Sequence, residues 1–151
     1  MTDWAAAASN PGFEDGAVAM GSYWYALGCL YDTDNTVAAW SKDFPLTYGG
    51  KNEQNKEIWT LTINYDDAKA TNDIDKGFKL RRYSSETAEE DLWNTQLGMW
   101  ASDPNDFMNI EFDYNLADGT DGNKNIRFEE AGRYTLTLTG NNLVVAKIPA
   151  N

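Results

Sequence analysis

The sequence predicts an all-β fold, a sandwich of roughly seven or eight strands. Three observations carry that expectation. Apolar residues alternate with polar ones at period two in segment after segment. Clusters of Gly, Asn, Asp and Pro separate those segments. No stretch carries the apolar stripe of a long amphipathic helix.

Residues 1–20 are small and turn-rich, with Asn10-Pro11-Gly12 as punctuation, and read as a leader or first edge element. Gly21 to Leu30 is a strand candidate with aromatic and aliphatic residues on both faces. Asp32-Thr33-Asp34-Asn35 is a turn, Thr36 to Tyr48 is irregular, and Gly49-Gly50 opens a loop that runs to Glu57. From Ile58 to Tyr65 the alternation is strict: Trp59, Leu61, Ile63 and Tyr65 share one face, with Thr60, Thr62 and Asn64 on the other. Asp66 to Lys76 is a polar loop. Phe78 and Leu80 then alternate with Lys79 and Arg81 in a further strand.

Thr87-Ala88-Glu89-Glu90 has the form of a capping box and predicts a short helical turn through Trp93. Met108, Ile110, Phe112 and Tyr114 line one face of a strand, and Ile126 and Phe128 form a short one. Tyr134, Leu136 and Leu138 alternate with threonines, Gly140-Asn141-Asn142 signals a tight hairpin, and Leu143 to Ile148 completes it. No Pro- or Ser-rich linker interrupts the chain, so residues 21–151 read as one domain.

Composition narrows the function. The 151 residues hold 12 Lys and Arg against 24 Asp and Glu, a net charge of −12. Such a surface repels phosphates, which argues against nucleic acid and anionic membranes as partners. The absence of histidine excludes Ser-His-Asp and Cys-His catalysis and His-ligated metals. Cys29 is the single cysteine and sits in an apolar run, as a buried small hydrophobe does. The opening residues lack the basic and apolar regions of a signal peptide. Asp32-Thr33-Asp34-Asn35 and Asp118-Gly119-Thr120-Asp121 offer the oxygen ligands that calcium takes, but neither has EF-hand spacing. Turn aspartates more often bond their own backbone, so no metal and no cofactor is expected. With so many acids, paired carboxylates arise by chance, and no catalytic residue is assigned.

The aromatics are the informative part. Six Trp and eight Tyr exceed the needs of a core this size. Trp59, Tyr65, Tyr114, Tyr134 and one of Tyr23 and Trp24 belong to the core by phase. Trp40, Trp93 and Trp100 sit in irregular segments among polar residues, as loop anchors or as exposed platforms. A sugar ring has an apolar C–H face that stacks on an indole or phenol, and its hydroxyls need donors and acceptors at the rim. Lys79, Arg81 and Tyr83 share one strand face just upstream of Trp93, Asn94 and Gln96. Burying roughly 100 Å² of apolar area contributes about 2.5 kcal/mol, and each net hydrogen bond about 0.5–1.5 kcal/mol. After the cost of association, a dissociation constant between about 10 µM and 1 mM follows.

The order of these segments resembles the starch-binding domains of SusE/SusF-type outer-membrane lipoproteins of gut bacteria. Tyr23-Trp24-Tyr25-Ala26-Leu27-Gly28 is similar to the family's first strand, which ends in Gly. Thr36-Val37-Ala38-Ala39-Trp40 resembles its Thr-x-Ala-Gly-Trp turn, with Ala39 in place of Gly, and Phe44-Pro45-Leu46-Thr47 resembles the step after it. Trp59-Thr60-Leu61-Thr62, Lys76-Gly77-Phe78-Lys79-Leu80, Trp93 with Leu97-Gly98, Gly122 to Ile126, and Ala131-Gly132-Arg133-Tyr134-Thr135 follow in the family's order. The resemblance spans residues 21–150. It implies an immunoglobulin-like antiparallel β-sandwich without catalysis. Such a domain binds an oligosaccharide or polysaccharide, an α-glucan first, through an arc of aromatics with basic or amide side chains on the glucose hydroxyls. Trp40, Lys79 and Trp93 match its motif pieces; spacing adds Arg81, Tyr83 and Trp100. It further implies a monomeric unit of a larger multidomain protein, extracellular or attached to the outer-membrane surface. The alternative is a structural spacer or protein-binding β-sandwich domain of a bacterial surface protein.

Overall fold

The computed structural model describes residues 22–84, 95–104, 106–108, 113–118 and 123–149. They form a two-sheet antiparallel β-sandwich, the all-β architecture the alternation predicts. The strands are β1 (Ser22–Gly28), β2 (Leu30–Tyr31), β3 (Phe44–Pro45), β4 (Thr47–Lys51), β5 (Glu57–Tyr65), β6 (Phe78–Ser84), β7 (Gln96–Gly98), β8 (Tyr114–Asn115), β9 (Ala117–Asp118), β10 (Gly132–Thr139) and β11 (Asn142–Ile148). One sheet runs β3-β1-β6-β7-β9. The other runs β2-β5-β10-β11-β8, with β4 also paired to β5.

The strand count exceeds the expected number because the chain changes sheets at two points and because short strands form in segments that read as irregular or as loop. At Gly28 and Cys29 it leaves β6, and Leu30 then pairs with Tyr65 in the opposite sheet. Across Leu116 it does so again, since Asn115 pairs with Asn142 while Ala117 pairs with Gly98. A further correction concerns Gly49 and Gly50. They lie inside β4, where Thr47, Tyr48 and Lys51 pair with β5 across a register shift, not in an open loop. Ile126 makes only an isolated bridge to Phe78. The capping box at Thr87–Glu90 and most of the predicted strand around Ile110 lie outside the described residues.

The core fills the space between the sheets. Trp59, Ile63 and Tyr65 of β5 and Tyr134, Leu136 and Leu138 of β10 face Ala26, Leu80 and Leu97 of the other sheet, all buried. Tyr65, Phe78, Phe128 and Tyr134 form an aromatic cluster with ring centroids 4.2–6.4 Å apart. Such pairs add roughly 0.5–1.5 kcal/mol each beyond their buried area. The opposite face of β5 and β10 is a threonine ladder, with the Thr62 and Thr135 hydroxyls 3.0 Å apart. Cys29 is fully buried, and burial pushes its thiol pKa up.

Asp67 ties one end of the sandwich together. It opens the 3-10 turn Asp67–Lys69 directly after β5. One carboxylate oxygen accepts the Tyr65 hydroxyl, and the other accepts Arg127 Nε at 3.1 Å and Nη2 at 2.7 Å. Burial, reinforced by the Asp67 carboxylate, holds the Tyr65 phenol well above its usual range. Asp67→Ala strands a buried hydroxyl and breaks a half-buried ion pair. It is expected to lower stability by about 2 kcal/mol, read from the urea midpoint; an unchanged midpoint would show that water replaces the carboxylate.

Candidate functional site

The antiparallel register of β1 and β6 brings the residues of interest onto one face. Tyr23 stands opposite Tyr83, Tyr25 opposite Arg81, and Leu27 opposite Lys79; Gln96 of β7 stands opposite Arg81 on its other side. Cross-strand partners project to the same side of a sheet, so these residues share the face opposite Ala26 and Leu80.

That face changes character along its length. At the Leu27 end it is closed: Lys79 is only 6% exposed, and Leu27 and Gln96 are buried beside it. The Lys79 ammonium donates to Gln96 Oε1 at 3.1 Å, to the Asn123 carbonyl at 3.3 Å and to the Asn123 side-chain oxygen. Burial pushes its pKa down to about 8. In the middle, the Arg81 guanidinium carbon lies 4.9 Å from the centre of the buried Tyr25 ring, and Arg81 Nε donates to the Tyr25 hydroxyl. Burial, partly offset by Arg81, pushes the Tyr25 phenol up to about 12. At the far end the face opens. Tyr83 is 37% exposed, and its ring lies 5.2 Å from Tyr23, inclined by 37°. Tyr23 in turn lies 6.0 Å from Tyr25. Three phenols and a guanidinium thus pack in one row that reaches solvent at Tyr83, with Tyr25 buried at its inner end.

The other expected residues sit elsewhere. The Lys79 ammonium is turned to its amide partners and buried with them. Trp40 is a half-buried loop anchor. Its backbone N–H donates to Gly28 O at 3.0 Å, its indole N–H to Asp75 O at 2.8 Å, and its φ is 65°. Contact with Gly28 places it about 17 Å along β1 from Tyr23. Trp100 is 48% exposed, pinned by its indole N–H to Asn115 O at 3.0 Å. It follows β7 at the Phe78 end of β6 and lies about 20 Å along the strand direction from Tyr83. Trp93 lies outside the described residues. Of the six expected residues, Arg81 and Tyr83 meet in one place, while Trp40, Lys79 and Trp100 lie apart from the exposed end.

Tyr23 backs the exposed Tyr83 ring and the buried Tyr25 lies under Arg81, and neither is a candidate site residue from the sequence. Their phase on β1 is plain in the alternation, but their pairing with Tyr83 and Arg81 comes from contacts across some sixty positions of chain. Asp34 Oδ1 accepts the Thr36 N–H at 2.9 Å and the Thr36 hydroxyl at 2.6 Å, the local bonding of an Asx turn. Among the described residues no group of three or more Cys, Asp or Glu is placed to hold a metal ion. Comparison with family models, with curated proteins and with solved structures finds no match to the chain.

Proposed function

We propose that the chain is a non-catalytic carbohydrate-binding β-sandwich domain, with an α-glucan as first choice of ligand. The observation that carries this reading is the exposed Tyr83 ring backed by Tyr23 and flanked by Arg81. A phenol held at its rear by a second phenol loses little freedom when a sugar ring stacks on its outer side. Arg81 already packs on Tyr25, so the surface is organised before ligand arrives. The net charge of −12 favours a neutral ligand over an acidic one. A place on the surface of a bacterial cell, within a multidomain protein, belongs to the same proposal.

Tyr83→Ala is expected to weaken maltoheptaose binding about tenfold and to change stability by less than about 0.5 kcal/mol, since the ring is partly in solvent. Equal affinity in the variant would remove Tyr83 from the site. The second reading, a structural spacer or protein-binding domain, draws on the anchoring of Trp40 and the burial of Lys79. It predicts no saturable binding of any glucan.

A further inference from the structure

A cavity of about 260 Å³ opens where the two sheets part at one end of the sandwich. It lies on the inner side of the same strand pair that carries Tyr23 and Tyr83. Trp24 and Arg82 are opposite each other in the β1–β6 register, one position in from that pair. From the facing sheet come Glu57 at the start of β5 and Asn141 in the turn between β10 and β11. Asp118 enters from β9, and the fully buried Trp59 forms part of the wall.

The groups are held in place. Glu57 Oε1 accepts the Trp59 indole N–H at 2.9 Å and Arg82 Nη1 at 3.2 Å. Arg82 Nη2 also donates to Ser22 Oγ at 2.8 Å, and the guanidinium lies 5.7 Å from the centre of the Trp24 ring. Glu57 and Arg82 neutralise each other, and Asp118 gives the lining one net negative charge among the described residues. Phosphate, sulfate and uronate are repelled by such a site. An indole wall suits the C–H face of a pyranose, while a carboxylate and an amide suit neighbouring hydroxyls. The fully buried Trp59 lines the core side of the cavity, which suits the ring at the tip of a chain better than one with neighbours on both sides.

We propose that this cavity is a subsite for the terminal ring of a neutral oligosaccharide, with Trp24 as the stacking wall and Asp118 and Asn141 as the hydroxyl partners. This deepens the glycan-binding reading above and rests on it.

The test uses the full chain, with maltoheptaose and the cyclic α-glucan of equal ring count, which has no chain end. Titrations are run on the wild type, Asp118→Ala, Asn141→Ala and Tyr83→Ala. Asp118 and Asn141 are both exposed, so either variant keeps the test open if the other fails to fold. The proposal expects Asp118→Ala and Asn141→Ala each to weaken the linear glucan about tenfold and to leave the cyclic one within about twofold. Tyr83→Ala is expected to weaken both.

Linear binding that survives both cavity substitutions would overturn the subsite and leave the glycan reading standing. Equal losses for linear and cyclic ligands would overturn the preference for a chain end. Release of new reducing ends would overturn a purely binding role for the cavity. If neither glucan binds the wild type, the glycan reading falls and the subsite falls with it.

Discussion

Alanine at Gly28 is expected to destabilise the protein by about 3 kcal/mol or more, the combined cost of a left-side backbone conformation and a backbone clash. Gly28 has φ +142°, and a Cβ there would stand 2.5 Å from Gly77 O and 2.6 Å from Phe78 Cα. Neither neighbour is the flexible tip of a side chain. Both are pinned, because Cys29 N–H donates to Gly77 O at 2.9 Å and Phe78 N–H to Ile126 O at 2.9 Å. Trp40 N–H fixes Gly28 O itself. The strain sits where the chain changes sheets, so relaxing it would pull β1 from β6. Gly50 is the control. It has φ +89° but open space around a Cβ, so Gly50→Ala is expected to cost only about 1 kcal/mol. Urea unfolding of the two variants measures the contrast. Equal midpoints would show that close approach at Gly28 is not what holds the sheet junction.

Lys79 makes stability rise with pH over a defined window. Its pKa moves from 10.5 in the unfolded chain to about 8 in the folded one. The folded state therefore releases a proton that the unfolded state keeps. Below pH 8 the buried ammonium costs about 3 kcal/mol, and that cost fades as pH rises from 8 toward 10.5. The tyrosines act in the opposite direction. Tyr25 and Tyr65 hold their protons above the usual phenol range, so their contribution is lost as pH rises past about 10. The Lys79 window thus lies between about pH 8 and 10.

Lys79→Met keeps the aliphatic stem, which crosses Gly98 so closely that a Cβ there would be 3.0 Å from Lys79 Cδ and Cε. Wild type is expected to gain about 2 kcal/mol on this variant between pH 7 and pH 10, measured by urea unfolding at each pH. A pH-independent difference would mean that the amine remains solvated.

The legible parts of this fold are those in which one face is wet and the other dry. β5 and β10 alternate Trp59, Ile63, Tyr134, Leu136 and Leu138 with threonines, and period two fixes both phase and face. β4 was hidden because two central glycines weaken any strand signal, and only pairing with β5 holds them extended. The junction at Gly28 is invisible to periodicity, since Leu27, Cys29 and Leu30 stay apolar across it, and the one at Leu116 falls in a segment too short to show a period.

The site divides in the same way. Alternation places Lys79, Arg81 and Tyr83 on one face, but phase says nothing of what covers that face, and Lys79 proves buried while Tyr83 does not. Trp40 sits among polar residues in sequence, yet a carbonyl of the 3-10 turn Asp73–Asp75 captures its indole. The Tyr23–Tyr83 pair and the cavity between the sheets depend on register between distant strands, which no local pattern encodes.

Isothermal titration of the full chain with maltoheptaose, with cellohexaose as the control, decides whether the domain binds an α-glucan. Saturable binding of maltoheptaose is expected, with a dissociation constant between about 10 µM and 1 mM and no hydrolysis. Binding of cellohexaose alone would move the ligand to β-glucans, and heats that stay at the level of dilution for both sugars would contradict the claim.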